Sequence, residues 1–380
     1  MADKQTFRIG IDARLAGQEH AGIGRYSENL IRRLVRFSLD KKGKKVTFVL
    51  FFFSPQQARD VLGDFFDHSQ LEIVITKIKH YGLREQLLLP KFYKKAKLDL
   101  LYVPHWNVPL AYRGKLAITI HDLLWYEQKG LHATTLKPWQ YYFKYLAHHK
   151  VSQQAVKKAL LIFVPTQSVK ETVLKYYPFA EDKIIVSKEG IANSYERALQ
   201  QKIELKTRIK KQLIYTGSLY PHKNLKLVIQ SLKKLPKYKL LIACARNIFQ
   251  DQVQTLIANY KVKKQVIFLG FVPDEKLINL YRESSALVQP SVSEGFGLTG
   301  IEAMASHTPV LASDIKVFRE IYQDAAIFFD PQKPQSFVEA VEKLEASNRK
   351  KIIEQGLKVA KQYSFDQMAQ DVWQALLKQL

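Results

Sequence analysis

Short apolar runs alternate with helical patterns along almost the whole chain, and this alternation constrains the fold more than any other feature. Runs such as KVTFVLFFF (45–53) and ALLIFVPT (159–166) are nearly continuously apolar instead of apolar at every second position. Such runs are typical of parallel strands that helices cover on both faces of the sheet. Six strand-like runs lie before residue 170, and six more follow from residue 211. The sequence therefore predicts an α/β protein with two doubly wound, Rossmann-like domains.

The length of 380 residues also favours two domains, because it exceeds the usual size of a single core. We predict an N-terminal domain at 1–190 and a C-terminal domain at 206–355. Residues 191–205 are turn-rich and are predicted to be the linker, and the helical segment 356–380 is expected to pack on the first domain. Ligands of open parallel sheets bind beyond the carboxyl ends of the strands. Two such domains facing each other are expected to form a cleft lined by strand-to-helix loops.

The formal net charge of +24 points to anionic partners, and the excess is divided between residues 1–200 (+14) and 201–380 (+10). Nucleic acid, anionic lipid and nucleotide sugars are each compatible with this charge, and so is a lysine-rich composition without functional meaning. No zinc-ligand cluster or RNA-recognition signature accompanies the basic runs, so we do not expect a nucleic-acid partner. A start without the apolar segment of a secretory signal, together with the single cysteine Cys244, favours the cytoplasm.

The stretch SEGFGLTGIE (293–302) places two carboxylates, Glu294 and Glu302, around a glycine-rich loop between a predicted strand and a predicted helix. Glycine lets the backbone approach a ligand, and the N-terminus of the helix suits a diphosphate. We expect Glu294 near a reacting sugar and Glu302 at a ribose diol. In the alternative interpretation, Thr299 and Glu302 form a capping box that only closes the start of the helix.

A second loop, YTGSLYPHKNL (215–225), follows the first predicted strand of the second domain. It places Ser218, His222 and Lys223 at the start of a helix. Lys223 could neutralise phosphate charge there, or it could be an ordinary solvent-exposed lysine.

Two segments of the first domain carry further candidates. Gly22 and Gly24 precede a predicted helix at 25–37, and although their spacing is a poor dinucleotide fingerprint, they suit a flexible loop that touches a substrate. The segment TIHD places His121 and Asp122 at a strand end, where they are either a functional or a structural pair.

Taken together, these segments resemble the GT-B retaining glycosyltransferases of family 4. Glu294-x7-Glu302 is similar to the family's Glu-x7-Glu signature, YTGSLYPHKN to its diphosphate-binding loop, and VIFLGFVPDEKLINLYRESSALVQPS to its base-binding segment. The segments IDAR…GIGRYSENL, TIHDLLW and VPTQSVKETVLKYY are similar to the first-domain pattern, particularly that of the mannosyltransferase-like branch. The resemblance spans nearly the whole chain in the right order.

The resemblance implies transfer of a hexosyl unit, of mannose or glucose type, from a GDP- or UDP-linked sugar to a saccharide or lipid-linked acceptor in surface glycan biosynthesis. It implies no cofactor and no metal, and the sequence has no Asp-x-Asp motif for a phosphate-bound metal. It also implies that 1–190 is the acceptor-side domain and 206–355 the nucleotide-sugar-binding domain. A GT-B epimerase or phosphorylase is the alternative, and a basic nucleic-acid-binding protein, supported only by the charge, is a further one. The oligomeric state is not indicated.

The resemblance also implies residue roles. Glu294 would contact the donor hexose, Lys223 would stabilise the leaving diphosphate, and His121 would contact the donor sugar near the reacting carbon. Many members pair the lysine with an arginine that this chain lacks, so a partly protonated His222 could contribute. The other predicted nucleotide-sugar contacts are Gly24 at the phosphate, Phe271 and Val272 at the base, the backbone of Gly297, Leu298 and Thr299 at the diphosphate, and Glu302 at the ribose. Ser218 and Phe296 are also predicted to contact the donor.

Residues 136–150, LKPWQYYFKYLAHHK, interleave aromatic side chains with lysines, which suits a membrane interface. An ordinary amphipathic helix that buries its aromatic face against the sheet has the same pattern. The resemblance implies that a basic first domain docks on anionic membrane. Peripheral attachment to the inner face of the cell membrane is therefore a hypothesis.

Overall fold

A computed structural model describes residues 6–17, 21–39, 45–127, 130, 134, 137–203, 211–245 and 248–380 of the chain. The chain forms two compact units. The first unit consists of residues 1–123, 136–190 and 365–380, and the second of residues 124–135 and 191–364.

Each unit is built on one sheet of parallel strands. The first sheet has seven strands in the order β3-β2-β1-β4-β5-β6-β7, and the second has six in the order β10-β9-β8-β11-β12-β13. The strands are β1 (Thr6–Asp12), β2 (Lys45–Phe52), β3 (Leu71–Ile75), β4 (Leu100–Val103), β5 (Leu116–Thr119), β6 (Leu161–Val164), β7 (Ile184–Val186), β8 (Gln212–Thr216), β9 (Lys239–Ala243), β10 (Val266–Gly270), β11 (Ala286–Gln289), β12 (Val310–Ser313) and β13 (Ala326–Phe329).

Parallel pairing requires crossover connections, and helices form most of them, whereas the β4–β5 connection at 104–115 contains no helix. The helices are α1 (Ala21–Leu39), α2 (Pro55–Leu62), α3 (Leu83–Lys95), α4 (Leu124–Glu127), α5 (Pro138–Lys158), α6 (Gln167–Tyr176), α7 (Asn193–Gln200), α8 (Leu225–Ser231), α9 (Gln250–Asn259), α10 (Asp274–Glu283), α11 (Leu298–Ala305), α12 (Lys316–Tyr322), α13 (Pro334–Ala346), α14 (Arg349–Ala360) and α15 (Phe365–Leu377).

The apolar runs form the cores that the sequence predicts. In β4, β5 and β6 every residue is buried, because helices cover both faces of a parallel sheet. In the first sheet the strands are added outward on one side of β1 and then on the other side from β4, so the order switches between β1 and β4. In the second sheet it switches between β8 and β11. Such a switch point leaves a crevice at the carboxyl ends of the two strands, where ligands of doubly wound folds bind.

The C-terminal helices divide between the two units. Helix α14 packs against α11 in the second unit, whereas α15 packs against α1 in the first. Phe365, Met368 and Val372 of α15 are buried in the first unit's core. The predicted linker 191–205 includes helix α7, which buries Tyr195 and Ala198 in the second unit. Residues 204 and 205 of that linker lie outside the described residues.

Helix α5 differs from the interpretation in which its aromatic face is buried against the sheet. Trp139, Tyr142, Phe143 and Leu146 are 59–70% exposed, while Tyr141 is buried. The exposed positions are three or four residues apart, so they form one face of the helix. That interpretation is therefore wrong for most of these side chains.

Candidate active site

The crevice of the second sheet contains the residues that the sequence predicts at a diphosphate. Strands β8 and β11 pair directly, so the loops that follow them leave the sheet side by side. A hydrogen bond of 2.9 Å from the Val292 amide to the His222 carbonyl joins the two loops. Lys223 lies at the end of the first loop and Glu294 within the second. The strand order therefore brings together two residues that are distant in the sequence.

Lys223 and Glu294 form an ion pair of 2.6 Å between Nζ and Oε1. Their side chains are 22% and 13% exposed, so the pair is only partly solvated. Ser291 Oγ donates a second hydrogen bond of 2.7 Å to the same carboxylate oxygen. Burial alone would raise the pKa of Glu294, but the charge and hydrogen bond of Lys223 and the Ser291 hydroxyl hold it below the ordinary value. Glu294 is therefore a carboxylate at neutral pH and an acceptor of hydrogen bonds, not a proton donor.

His222 contributes no positive charge at neutral pH. Burial, together with the neighbouring charge of Lys223, lowers its pKa to about 4. Its ring stacks with that of Tyr220, with 5.9 Å between the ring centroids. The suggestion that a partly protonated His222 supports Lys223 is therefore wrong. Ser218, on the same loop, accepts a hydrogen bond from the Tyr215 hydroxyl through its carbonyl.

Gly297 begins helix α11 in a conformation that only glycine adopts easily. Its φ is +98°, and a Cβ atom at this position would lie 2.7 Å from Phe318 Cε1. The Tyr322 hydroxyl donates a hydrogen bond of 2.6 Å to the Gly297 carbonyl. The first N–H groups of a helix have no acceptor within the helix. Gly297 and Tyr322 thus fix the direction in which the amides of Leu298 and Thr299 are presented.

The capping box at Thr299 does not form. Thr299 lies inside α11, which begins at Leu298 with Gly297 as N-cap, and its hydroxyl accepts a hydrogen bond of 2.6 Å from Gln289 Nε2. Two other predicted contacts are buried side chains: Glu302 is 1% exposed, and Phe296 is 5% exposed with its ring edge-on to Tyr363.

The predicted base-binding residues line a separate cavity of about 410 Å³ at the end of β10. Phe271 is 64% exposed there, and Val272 is half-buried beside it. Lys276, Asn279 and Glu283 of α10 also line the cavity and add polar groups to its wall.

In the first unit, His121 follows β5 with its ring buried. Nε2 lies 3.1 Å from the Pro104 carbonyl oxygen, and Nδ1 lies 3.3 Å from Glu189 Oε1. Gly24 lies inside helix α1, which begins at Ala21, so the prediction of a flexible loop before the helix is wrong. A Cβ atom at Gly24 would clash with the Gly17 carbonyl oxygen, and this close approach explains the glycine.

The crevice of the first sheet holds a buried charge cluster. The Arg14 guanidinium donates to both carboxylate oxygens of Asp12, at 2.8 and 2.6 Å, and to Glu85 at 2.7 Å. Although burial opposes it, Arg14 keeps the pKa of Asp12 below its ordinary value. A small cavity beside the cluster is lined by, among others, Ser27 and His105.

Comparisons with known proteins agree with this arrangement. The model of Glycosyltransferase Family 4 matches residues 20–193, and that of Glycosyl transferases group 1 matches residues 196–359. The O-antigen chain mannosyltransferase RfbU of Salmonella typhimurium is 30% identical over 282 residues, which cover 73% of this chain and 72% of that protein. The chain belongs to the group 1/family 4 glycosyltransferases.

Solved structures show the fold of this glycosyltransferase. Sucrose-phosphate synthase from Thermosynechococcus elongatus matches with a TM-score of 0.73 at 16% identity, over 98% of both chains. Anabaena Alr3699/HepE in complex with UDP and glucose matches with a TM-score of 0.67 at 17% identity, over 97% of this chain and 98% of that one. The two-domain Rossmann-like fold of GT-B type, as the sequence predicts it, is confirmed.

Some residues of the candidate site are not apparent from the sequence. Ser291 bonds Glu294 from three positions away, and its place in the same strand-end loop is a signal that could have found it. Tyr322 and Glu189 act across long sequence separations, and no local pattern marks them. The described residues include no group of three or more His, Cys, Asp or Glu side chains arranged to hold a metal ion. Within the described ranges, no helix has the length and apolar character needed to cross a membrane.

Proposed function

We propose that this glycosyltransferase transfers a hexosyl unit of mannose type from a GDP- or UDP-linked sugar, with retention of configuration, to a saccharide or lipid-linked acceptor of a surface glycan. The observation that carries the proposal is the Lys223–Glu294 pair at the switch point of the second sheet, beside the N-terminus of α11. The similarity to a protein named as an O-antigen chain mannosyltransferase supports both mannose and a surface glycan.

The chemistry of the transfer suits these groups. Cleavage of a glycosyl–phosphate bond develops negative charge on the leaving diphosphate and positive charge on the sugar. An ammonium group and oriented amides stabilise the diphosphate, and each such contact is typically worth about 3 kcal/mol of the barrier. Lys223 and the amides of Gly297, Leu298 and Thr299 supply them in this proposal. No metal is then needed to neutralise the leaving group.

Glu294 has two consecutive roles in this proposal. Without ligand, its carboxylate is the partner of the Lys223 ammonium. When a diphosphate reaches Lys223, two anions compete for one cation, and the carboxylate is free to accept hydrogen bonds from the hydroxyls of the hexose. Because Glu294 is ionised at neutral pH, it can do so without a change of protonation.

The proposal assigns the remaining nucleotide contacts as follows. Phe271 and Val272 bind the base at their cavity, and Glu302 binds the ribose. Because Glu302 is 1% exposed, ribose binding requires its side chain to turn outward. His121 and Gly24 of the first unit complete the set of residues assigned to the donor.

The test begins with nucleotide binding. We expect GDP or UDP, but not AMP, to raise the melting temperature of the protein, because a ligand that binds only the folded state stabilises it. Radiolabelled GDP-mannose, UDP-glucose and related donors should then be hydrolysed slowly without an acceptor, and NMR of the released sugar before mutarotation would report retention or inversion. Lys223→Met should abolish hydrolysis and Lys223→Arg should retain part of it. Wild-type activity in Lys223→Met would refute the assignment of the diphosphate site.

We also propose that helix α5 docks on an anionic lipid bilayer. Its exposed face carries Trp139, Tyr142, Phe143 and Leu146, and Lys144 and Lys150 are exposed on the same helix. Aromatic side chains favour the bilayer interface, while lysines are attracted to anionic headgroups. A net charge of +24 is complementary to such a surface. A lipid-linked acceptor would be delivered at the same bilayer.

A further inference from the structure

The hydrogen-bond partners of His121 constrain its protonation state. They also indicate a role for Glu189, to which no role has been assigned so far. We propose that Glu189 is a positioning residue that holds His121 as a doubly protonated imidazolium, with both ring N–H groups donating to the protein. Only the activity readout of this proposal rests on the proposed function. Its spectroscopic readout does not.

The two ring nitrogens of His121 face the Pro104 carbonyl oxygen and the Glu189 side chain, and both of these only accept hydrogen bonds while Glu189 is a carboxylate. Nε2 is 3.1 Å from the carbonyl oxygen of Pro104, and Nδ1 is 3.3 Å from Oε1 of Glu189. A neutral imidazole carries one N–H group, so one contact would place a nitrogen lone pair against an oxygen lone pair. Only the imidazolium satisfies both contacts. The side chains of His121 and Glu189 are 11% and 9% exposed, so water has little access to replace either bond.

The imidazolium connects three loops at the carboxyl end of the first sheet. His121 follows β5, Pro104 follows β4 and Glu189 follows β7. The Tyr26 ring meets the imidazole edge-on, with 4.6 Å between the centroids and an angle of 85° between the rings. The Tyr26 hydroxyl lies 3.3 Å from Thr119 Oγ1 at the end of β5. The ring of His121 is therefore fixed from three sides.

The charges around the ring favour the same state. Burial lowers the pKa of His121, but the hydrogen bond and charge of Glu189 outweigh it, and the Pro104 carbonyl and Asp122 act in the same direction. The net result is a pKa above the ordinary value. His105 faces the ring as a neutral group, because burial and the charge of His121 lower its pKa to about 3. Tyr26 is also neutral, because burial raises its pKa to about 12.

This assignment has a consequence for the transfer reaction. A histidine with both N–H groups bound to protein acceptors does not exchange a proton with the substrate. His121 instead holds the loops that follow β4, β5 and β7 in place through its two N–H groups. The second ring proton should persist to a higher pH than in an ordinary histidine and be lost as the pH rises through the raised pKa. Removal of the Glu189 carboxylate should lower that pKa and move the loss of charge to lower pH.

Histidine-labelled protein tests the protonation state directly. Long-range ¹H–¹⁵N spectra distinguish protonated from unprotonated ring nitrogens, and the loss of one set of signals in His121→Asn assigns the residue. We expect both nitrogens of His121 to be protonated at pH 6.5, and the titration midpoint to fall by about one unit or more in Glu189→Gln. The control, Glu181→Gln, changes an exposed glutamate of the same unit and should leave the midpoint unchanged. An unprotonated nitrogen in the wild type at pH 6.5, or an equal midpoint in Glu189→Gln, would overturn the proposal.

Donor hydrolysis provides the second readout. The kcat of Glu189→Gln should fall several-fold at a pH between the two NMR midpoints, where only the wild-type His121 is doubly protonated. It should recover toward the wild-type value below the midpoint of the variant, whereas KM should change little. A purely structural role of Glu189 predicts a loss that is independent of pH, and that result would contradict the proposal. Equal melting temperatures of the two glutamine variants would show that both are folded. If no nucleotide sugar is hydrolysed by the wild type, the proposed function fails, while the NMR result still decides the role of Glu189.

Discussion

At the scale of single residues, the pairing of Lys223 with Glu294 determines how the donor site responds to mutation. Each member partly neutralises the other in a region with limited access to water. Removal of one partner leaves the other charge without compensation, and this is costly for buried pairs. A neutral residue of the same shape is therefore a better probe than alanine, because it keeps the hydrogen-bonding geometry.

Glu294→Gln should separate turnover from nucleotide binding. We expect kcat for donor hydrolysis to fall about 100-fold, because the carboxylate that accepts the sugar hydroxyls is lost. Binding of free GDP or UDP should be retained or become tighter, since Lys223 no longer has a competing anion. Steady-state kinetics and isothermal titration calorimetry would measure the two effects. Glu339→Gln changes an exposed glutamate of the same unit and should affect neither quantity. A loss of nucleotide affinity that parallels the loss of kcat would contradict the assignment.

His222 should make the stability of the second unit depend on pH. Its pKa is lowered to about 4 in the folded state, below the ordinary value of 6.5. As the pH falls from 6.5 to 4, His222 therefore becomes protonated in the unfolded chain but stays neutral in the folded chain. The free energy of unfolding decreases across this window by up to about 3 kcal/mol. His222→Phe keeps a ring beside Tyr220 but cannot titrate. Its melting temperature should decline less than that of the wild type between pH 7 and pH 4, as measured by calorimetry. Parallel declines in both proteins would show that His222 is not responsible.

At the scale of elements, helix α11 is held in place by aromatic side chains of α12. Gly300 lies in the first turn of α11, and a Cβ atom there would approach within 2.7 Å of Tyr322 Cε1. The same tyrosine donates the hydrogen bond to the Gly297 carbonyl. The two glycines therefore allow α11 to approach α12 closely enough for Tyr322 to fix the N-terminus of α11.

Gly300→Ala should displace this helix. We expect a loss of about 1–3 kcal/mol in the free energy of unfolding, which is typical of an overpacked core, together with weaker binding of GDP or UDP. Gly22→Ala is the matched control, because Gly22 also lies in a helix but no described residue is within 4 Å of the added Cβ atom. That variant should not be destabilised, because alanine has the higher helix propensity. Thermal unfolding measures both, and equal effects of the two substitutions would argue against close packing at Gly300.

The elements also show which parts of the fold are readable from the sequence. Long apolar runs such as β2 can be recognised as strands from the sequence, because a strand covered on both faces has few polar positions. The three residues of β7 are too few to form a recognisable pattern, and α7 lies in a segment with weak periodicity. The sequence predicts that α1 begins at residue 25, because Gly22 and Gly24 resemble a loop. The helix begins at Ala21, and close packing explains the glycine at position 24.

The candidate site follows the same rule. Lys223 and Glu294 could be placed at strand ends from local patterns, and the parallel sheet then puts them on one edge. Their ion pair depends on β8 and β11 being neighbours, which no local pattern reveals. The bonds of Tyr322 to Gly297 and of Glu189 to His121 likewise join segments that only the folded chain brings together.

At the scale of the whole molecule, a net charge of +24 accompanies exposed apolar side chains on the first unit. Helix α5 exposes four large apolar side chains, and α3 exposes Leu83, Leu87 and Leu88. Large exposed apolar patches are uncommon on monomeric proteins and usually mark interaction surfaces. Attraction between a net charge of +24 and anionic lipid extends over about 10 Å at 0.1 M salt, so it can bring the protein to a bilayer before the side chains insert.

Binding to vesicles tests this surface. We expect the protein to sediment with phosphatidylglycerol-containing liposomes at low salt and less strongly at moderate salt, and not with neutral liposomes. Trp139→Ser/Phe143→Ser should reduce the partition coefficient about tenfold or more, because it removes two aromatic anchors without changing the charge. Phe179→Ser is the control, since Phe179 is 55% exposed but lies outside α5. An equal loss in the control would show that general surface hydrophobicity, not α5, governs binding. An absence of sedimentation at either salt concentration would remove the bilayer as the partner of this helix.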